Sequence, residues 1–193
     1  LRALEDVEVD ELQAGAVQPH EGDQRVFREV DFDLGEDRAR HTTYMQAAGA
    51  GQCMSAAKLR QAMAQSASLH RSLLRCVHAF LIQTTETALA NGRSKSEARL
   101  ARWLLMNQDR RGVSRFAVTQ EFMSTLLGVR RVSVSQAAHR FQRDGLIEYR
   151  RGDMTILNRP GLESASCSCY AADLRSYAMQ MRPGGARRLP SAN

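Results

Sequence analysis

The chain has 193 residues, 43% hydrophobic and 25% charged, which is enough for one or two small domains. No apolar run reaches membrane-span length, and the acidic opening (Glu5, Asp6, Glu8) is unlike a secretory signal, so a cytoplasmic protein with no membrane partner is expected. Residues 1–92 hold 9 basic and 13 acidic residues against 18 and 8 in residues 93–193, so the net +6 resolves into a front half at −4 and a back half at +10 that is expected to meet a polyanion.

Residues 1–54 are thin in apolar side chains. Val7 with Val9, and Val30 with Phe32 and Leu34, alternate with polar residues and predict short strands. Residues 41–46 (HTTYMQ) predict one more. Gly15, Gly22, Gly35, Gly49 and Gly51 are expected as turns. The segment is short for an independent barrel, and a chain opening on Leu1 is expected to start upstream. The four cysteines, Cys53, Cys76, Cys167 and Cys169, form no CxxC pair. Cys167 and Cys169 are too close for a zinc knuckle or a disulfide. Reduced thiols, no metal and no iron–sulfur site are therefore expected.

Ser55 opens helical territory. Ala56, Leu59 and Met63 predict a short helix ending near residues 66–68. A long helical pattern then covers residues 68–89 with two neighbouring stripes. One is Leu69, Leu73, Cys76 and Phe80; the other is Leu74, Val77, Leu81, Thr84 and Ala88, at heptad-like spacing. So wide an apolar arc can touch the front domain on one side and the same helix of a second chain on the other. A single buried core helix would show the same stripes. His70 and His78 fall at its polar edge. Asn91-Gly92 is expected to break the pattern as a hinge, and Ser94 with Glu97 reads as a capping box. The helix behind it should carry Leu100, Trp103, Leu104, Leu105 and Met106 inward, with Arg99, Arg102 and Arg110 facing out or flanking its end. Trp103 reads as a core anchor.

Residues 109–113 predict a turn, and Phe116 with Val118 a short strand. Two amphipathic helices follow across a glycine elbow. Thr119 is a candidate N-cap, Glu121 sits in the first turn, and Phe122, Met123, Leu126 and Leu127 form one apolar stripe. Gly128 ends that helix because glycine tolerates the left-handed conformation of a sharp turn. Val129 is the apolar plug, and the small Ser124 lets the helix backbones approach. The second helix starts near Arg130 or Arg131, with a core face of Val134, Ala137, Ala138 and Phe141. These positions in one register are what a helix-turn-helix requires. The opposite face carries Val132, Ser135, Gln136, His139, Arg140 and Arg143, with Arg131 in the first turn and no acid. That face suits the DNA major groove, where Arg reads guanine and Gln adenine. A merely solvated polar face is the bland alternative.

Asp144-Gly145 ends the second helix. Residues 146–149 and 154–157 alternate as two strands around a turn at residues 150–153, making a wing with Arg150 and Arg151 at its tip. Arginines there fit phosphate contact, which positions a protein without reading sequence. A last helical stretch, residues 162–181, follows Pro160-Gly161, and residues 182–193 have the composition of a disordered tail.

This order resembles the C-terminal two-thirds of the CRP/FNR transcription-regulator family. The motifs EARLARWLLMNQDR from Glu97, TQEFMSTLLGVRRVSVSQAAHRFQRDGLIEYRRGDMTIL from Thr119 and PGLESASCSCY carry the resemblance across residues 68–181. It implies an α+β chain: a truncated effector β-roll remnant with a short helix (1–67), a long dimerisation helix and hinge (68–92), a winged helix-turn-helix (93–181) and the tail. It implies a homodimer on double-stranded DNA with a two-fold symmetric operator, read by the helix over 131–143, and makes RNA polymerase a further candidate partner. By position, Arg131, Val132 and Gln136 fall where the family reads bases. Thr119, Gln120, Ser133 and Arg143, with Arg150 and Arg151 on the wing, fall at backbone contacts. Val132 departs from the acidic residue many members hold, so preference at that base pair should be altered or weak.

The front half departs further. The family's β-roll is about twice as long as the segment preceding the helices here. Gly35-Glu36 with Arg38 and Arg40 is similar to its phosphate-binding cassette, but too little chain lies between for the loop and helix. No cofactor is therefore expected. A winged-helix interaction module that no longer reads DNA is the competing reading, against which stands the +10 of the back half. No nucleophile signature or metal-binding run is present, so no enzyme is expected.

Overall fold

A computed structural model describes residues 13–17 and 49–180. The expected strands around Val7, Val30 and residues 41–46, the cassette-like Gly35 to Arg40, and the tail lie outside the described residues. The chain forms two compact units, Leu1–Val77 and His78–Asn193.

In the first unit, β1 (Gln13–Val17) pairs antiparallel with β2 (Gly49–Cys53), and Gly15 lies opposite Gly51. Gly15, Gly49 and Gly51 are thus strand residues, not turns; the ladder supplies the hydrogen bonds that a glycine-rich stretch cannot specify by pattern. Helix α1 (Ala56–Gln65) opens on Ser55, whose hydroxyl accepts from Lys58 N–H at 3.3 Å. Ser66 then ends one helix and begins the next. Its N–H donates to Ala62 O at 2.9 Å, and its hydroxyl accepts from Leu69 N–H at 3.2 Å. Its extended backbone lets one residue satisfy orphan groups on both sides.

Helix α2 (Ala67–Arg93) runs through Asn91-Gly92 rather than breaking there. Ser94 N–H still donates to Ala90 O at 2.9 Å, and Ala90 is buried. The local cost of one helical glycine, ~1 kcal/mol, is smaller than what continuation secures. Ser94 therefore serves the end of α2, and the capping box does not form. Helix α3 (Ser96–Arg111) begins at Lys95 without a side-chain cap, and Glu97 turns elsewhere. The expected turn at residues 109–113 is shorter, because α3 continues to Arg111 and closes on Gly112 in the left-handed region.

Leu100, Leu104 and Leu105 of α3 are fully buried and centre the core of the second unit. Trp103 packs edge-on to Phe116, ring centroids 6.4 Å apart, as an anchor should. Around α3 lie β3 (Arg115–Ala117), α4 (Gln120–Leu127), α5 (Arg131–Arg143), and the strands β4 (Ile147–Arg150) and β5 (Asp153–Ile156). The strand order is β3-β5-β4, both pairings antiparallel, with Phe116 opposite Met154 and Tyr149 opposite Met154 from the other side. The last stretch is two helices, α6 (Arg159–Ala165) and α7 (Ser168–Gln180), not one. Ser166 takes an extended backbone between them, and Asn158 caps α6 by accepting from Gly161 N–H at 2.9 Å.

Arg102 is the largest departure in α3. Expected outside, it is 6% exposed. Its Nε and Nη2 both donate to Asp173 Oδ2 of α7, at 3.0 and 2.5 Å, and Nη2 also reaches Thr87 Oγ1 of α2 at 3.0 Å. A charge can be buried when its partner is buried with it; the partner lies 71 residues away, where helical periodicity has nothing to say.

Candidate nucleic-acid interface

The glycine elbow sets the site. Thr119 Oγ1 accepts from Phe122 N–H at 3.1 Å and starts α4. Gly128 ends α4 at φ +58°, ψ +40°, and Val129 N–H returns to Ser124 O at 3.1 Å. Ser124 is buried, its hydroxyl donating to Glu121 O at 2.7 Å, so the polar atom is satisfied inside the helix pair. Helix α5 then starts from Arg130, and Val134, Ala137, Ala138 and Phe141 all point into the core. With that face buried, the other is turned out: Arg131, Val132, Gln136, His139, Arg140 and Arg143 line it, Val132 at 63% exposure.

Not all of that face is free. Glu97, released from the capping box, meets Arg140 at 2.9 Å, and Arg143 approaches Asp144 at 3.6 Å. The face has no acid of its own, but α3 and the helix end each bring one. Arg131 makes no ion pair among the described residues. Gln120 Oε1 accepts from Ser135 Oγ at 2.6 Å, tying the start of α4 to the outward side of α5. Ser133 is half-buried in the first turn.

The wing is a two-residue hairpin. Arg150 pairs with Asp153 in register, and the turn residues Arg151 and Gly152 have φ of +50° and +84°. Positive φ at both central positions matches the primed turn that fits the twist of a hairpin. Glycine takes this readily; Arg151 does so against its side-chain preference. Arg150 stays exposed beside Glu148 at 3.0 Å, and Arg115 bonds Asp153 at 2.5 Å. That pair holds the Asp153 carboxyl below the usual range, through the hydrogen bond first. Tyr149 locks the wing to the body: its N–H donates to Gln142 Oε1 at 2.7 Å and its hydroxyl to Val118 O at 3.1 Å.

Arg99 joins this assembly although spacing placed it outside. Its guanidinium donates to Leu127 O, the last carbonyl before the elbow, and to Asn91 O at 3.4 Å near the end of α2. Only the fold brings positions 91, 99 and 127 together. Burial alone holds Arg99 below its ordinary range. Among the described residues no cluster could hold a metal ion, and no helix is long and apolar enough to cross a membrane.

The Crp-like helix-turn-helix domain profile matches residues 98–165, the stretch from α3 to α6. No curated protein matches the chain. Among solved structures, FixK2 from Bradyrhizobium japonicum is similar at 17% identity and TM-score 0.51, over 66% of this chain and 70% of that one. A protein described as a transcriptional regulator of the Crp/Fnr family from Eubacterium rectale ATCC 33656 aligns at 21% identity and TM-score 0.49, over 62% of this chain. The Thermus thermophilus catabolite activator protein aligns at 20% identity and TM-score 0.33, over 57%. The chain spans 56% of the Eubacterium protein and 48% of the Thermus protein, about half their length. The profile match falls on the elbow, the outward basic helix and the wing just described, so residues 98–165 are a Crp-like helix-turn-helix domain.

Proposed function

We propose that the protein is a DNA-binding transcription regulator that acts as a homodimer on a two-fold symmetric operator. The observation that carries this reading is the outward face of α5, oriented by the Gly128 elbow, with an arginine-tipped wing on the same domain. Arg131 and Gln136 carry the side-chain groups that read guanine and adenine edges, and Val132 offers apolar contact suited to a thymine methyl. Arg150 and Arg151, with Thr119, Gln120, Ser133 and Arg143, are assigned to the phosphate backbone. Support for a dimer comes from α2, whose Leu81 and Leu89, about two turns apart on one side of the helix, stay exposed at 56% and 41%. Apolar side chains repeated along one helix are a surface for a second helix. Two α5 helices in one dimer would then enter major grooves about 34 Å apart, one helical turn.

The test is selection of genomic DNA fragments on the purified chain, followed by sequencing. Enrichment of a two-fold symmetric motif is expected. Enrichment of an asymmetric motif would remove the dimer; enrichment of nothing would leave the domain as an interaction module.

A further inference from the structure

His139 stands on the outward face of α5 with no contact yet assigned to it. Val132, Gln136, His139 and Arg143 follow at i, i+4, i+7 and i+11, which places all four on one stripe of a 3.6-residue helix. His139 therefore lies between Gln136, assigned to a base edge, and Arg143, assigned to the backbone. It is exposed, and it makes no hydrogen bond or ion pair among the described residues.

The charges around it are largely committed elsewhere. On its own helix, Arg140 is paired with Glu97 of α3, and Arg143 lies 3.6 Å from Asp144 at the helix end. Helices α3 and α4 and strand β4 pack against α5. Besides Glu97, α3 brings Arg99 and Arg102, bonded to Leu127 O and to Asp173. Strand β4 brings Glu148 and Arg150, which pair at 3.0 Å, and Tyr149, whose hydroxyl donates to Val118 O. Helix α4 carries Glu121 in its first turn. The imidazole thus keeps its full hydrogen-bonding capacity for whatever docks along the stripe.

We propose that His139 is a further DNA contact, that it meets a backbone phosphate in its imidazolium form, and that the chain therefore takes up a proton when it binds. Imidazole is the side chain that changes charge between about pH 5 and pH 8. A phosphate brought beside it favours the charged form and gains a charge-assisted hydrogen bond. The arginines of the same face stay charged throughout that range, so they give no such response. The sign follows: DNA favours the protonated form, so affinity rises as pH falls. This inference rests on the regulator reading and adds a dependence on pH to it.

The test is fluorescence anisotropy of the full chain on the DNA fragment most enriched by the genomic selection, at about pH 8, 7 and 6 and constant ionic strength. Affinity should rise about tenfold from pH 8 to pH 6 for each imidazole engaged, the gain of one hydrogen bond to a charged group. His139→Gln, at an exposed position, should fold normally and bind at pH 6 as the unaltered chain binds at pH 8. His139→Arg should bind equally well at all three. An affinity that stays flat from pH 8 to pH 6 would overturn the proposal, and so would a rise that survives in His139→Gln. Either result leaves the regulator reading standing, whereas a selection that enriches no fragment removes both.

Discussion

Arg131 and Gln136 lie on the outward face of α5 with no side-chain hydrogen bond or ion pair among the described residues, so each is predicted to contribute to choice between sequences. Arg131→Ala and Gln136→Ala should each cost ~1–3 kcal/mol of discrimination, read as the affinity ratio between the selected and a scrambled site. Arg150→Ala with Arg151→Ala should weaken both sites alike and lower the slope of log affinity against log salt by about 1 for every phosphate left without its arginine. If the wing double variant changes only the ratio, the roles are reversed. Arg151 also permits stability and binding to be separated. Its φ of +50° is one that glycine adopts at little cost, so Arg151→Gly should raise stability by about 1 kcal/mol in urea unfolding while still weakening the hold on phosphate. Glu97 restrains Arg140, so Glu97→Gln should tighten binding to DNA of any sequence; unchanged affinity would show that Arg140 stays away from the backbone.

Two glycines that look alike in the chain differ once the helices are in place. Gly92 lies inside α2 with open space around a would-be Cβ, so Gly92→Ala should stabilise by up to ~1 kcal/mol. Gly128 holds the elbow at φ +58°, with only ordinary contact to Arg99 in the way, so Gly128→Ala should cost about 1 kcal/mol through its backbone alone. Thermal unfolding of the pair checks both signs. The junction of α7 with α3 is predicted to respond differently. Asp173→Ala leaves the Arg102 guanidinium buried without its counter-charge and should cost ~3–5 kcal/mol, whereas Arg102→Met with Asp173→Leu should be close to neutral. A mild single variant would show that Arg102 can reach water. The core faces of α3 and α5 were legible from periodicity, because every residue at i, i+3, i+4 and i+7 faces one way whatever it packs on. The end of α2 was not, since a local breaker signal was outweighed by burial of Ala90 and one further backbone hydrogen bond.

The dimer reading makes its own demand on the assembled protein. Leu81 is 56% exposed, so Leu81→Glu should change the stability of the single chain by no more than about 0.5 kcal/mol. It should nevertheless yield a monomer in sedimentation and abolish tight operator binding. A wild-type chain that sediments as a monomer would end the dimer reading. The elbow, the buried and outward faces of α5, and the arginine-tipped wing followed from residue order alone, because each rests on partners within a few positions: a cap at three, a helix face at four, a two-residue turn. What folding alone decided lies at long separation. Glu97 turned from a cap to Arg140, Arg99 joined the end of α2 to the elbow, and Arg102 went inside to meet Asp173. Charged side chains are long and find partners through space, so their destinations depend on which helices become neighbours. The outward basic face of α5 was thus readable from spacing, while the number of its arginines left free was settled by carboxylates that spacing could not locate.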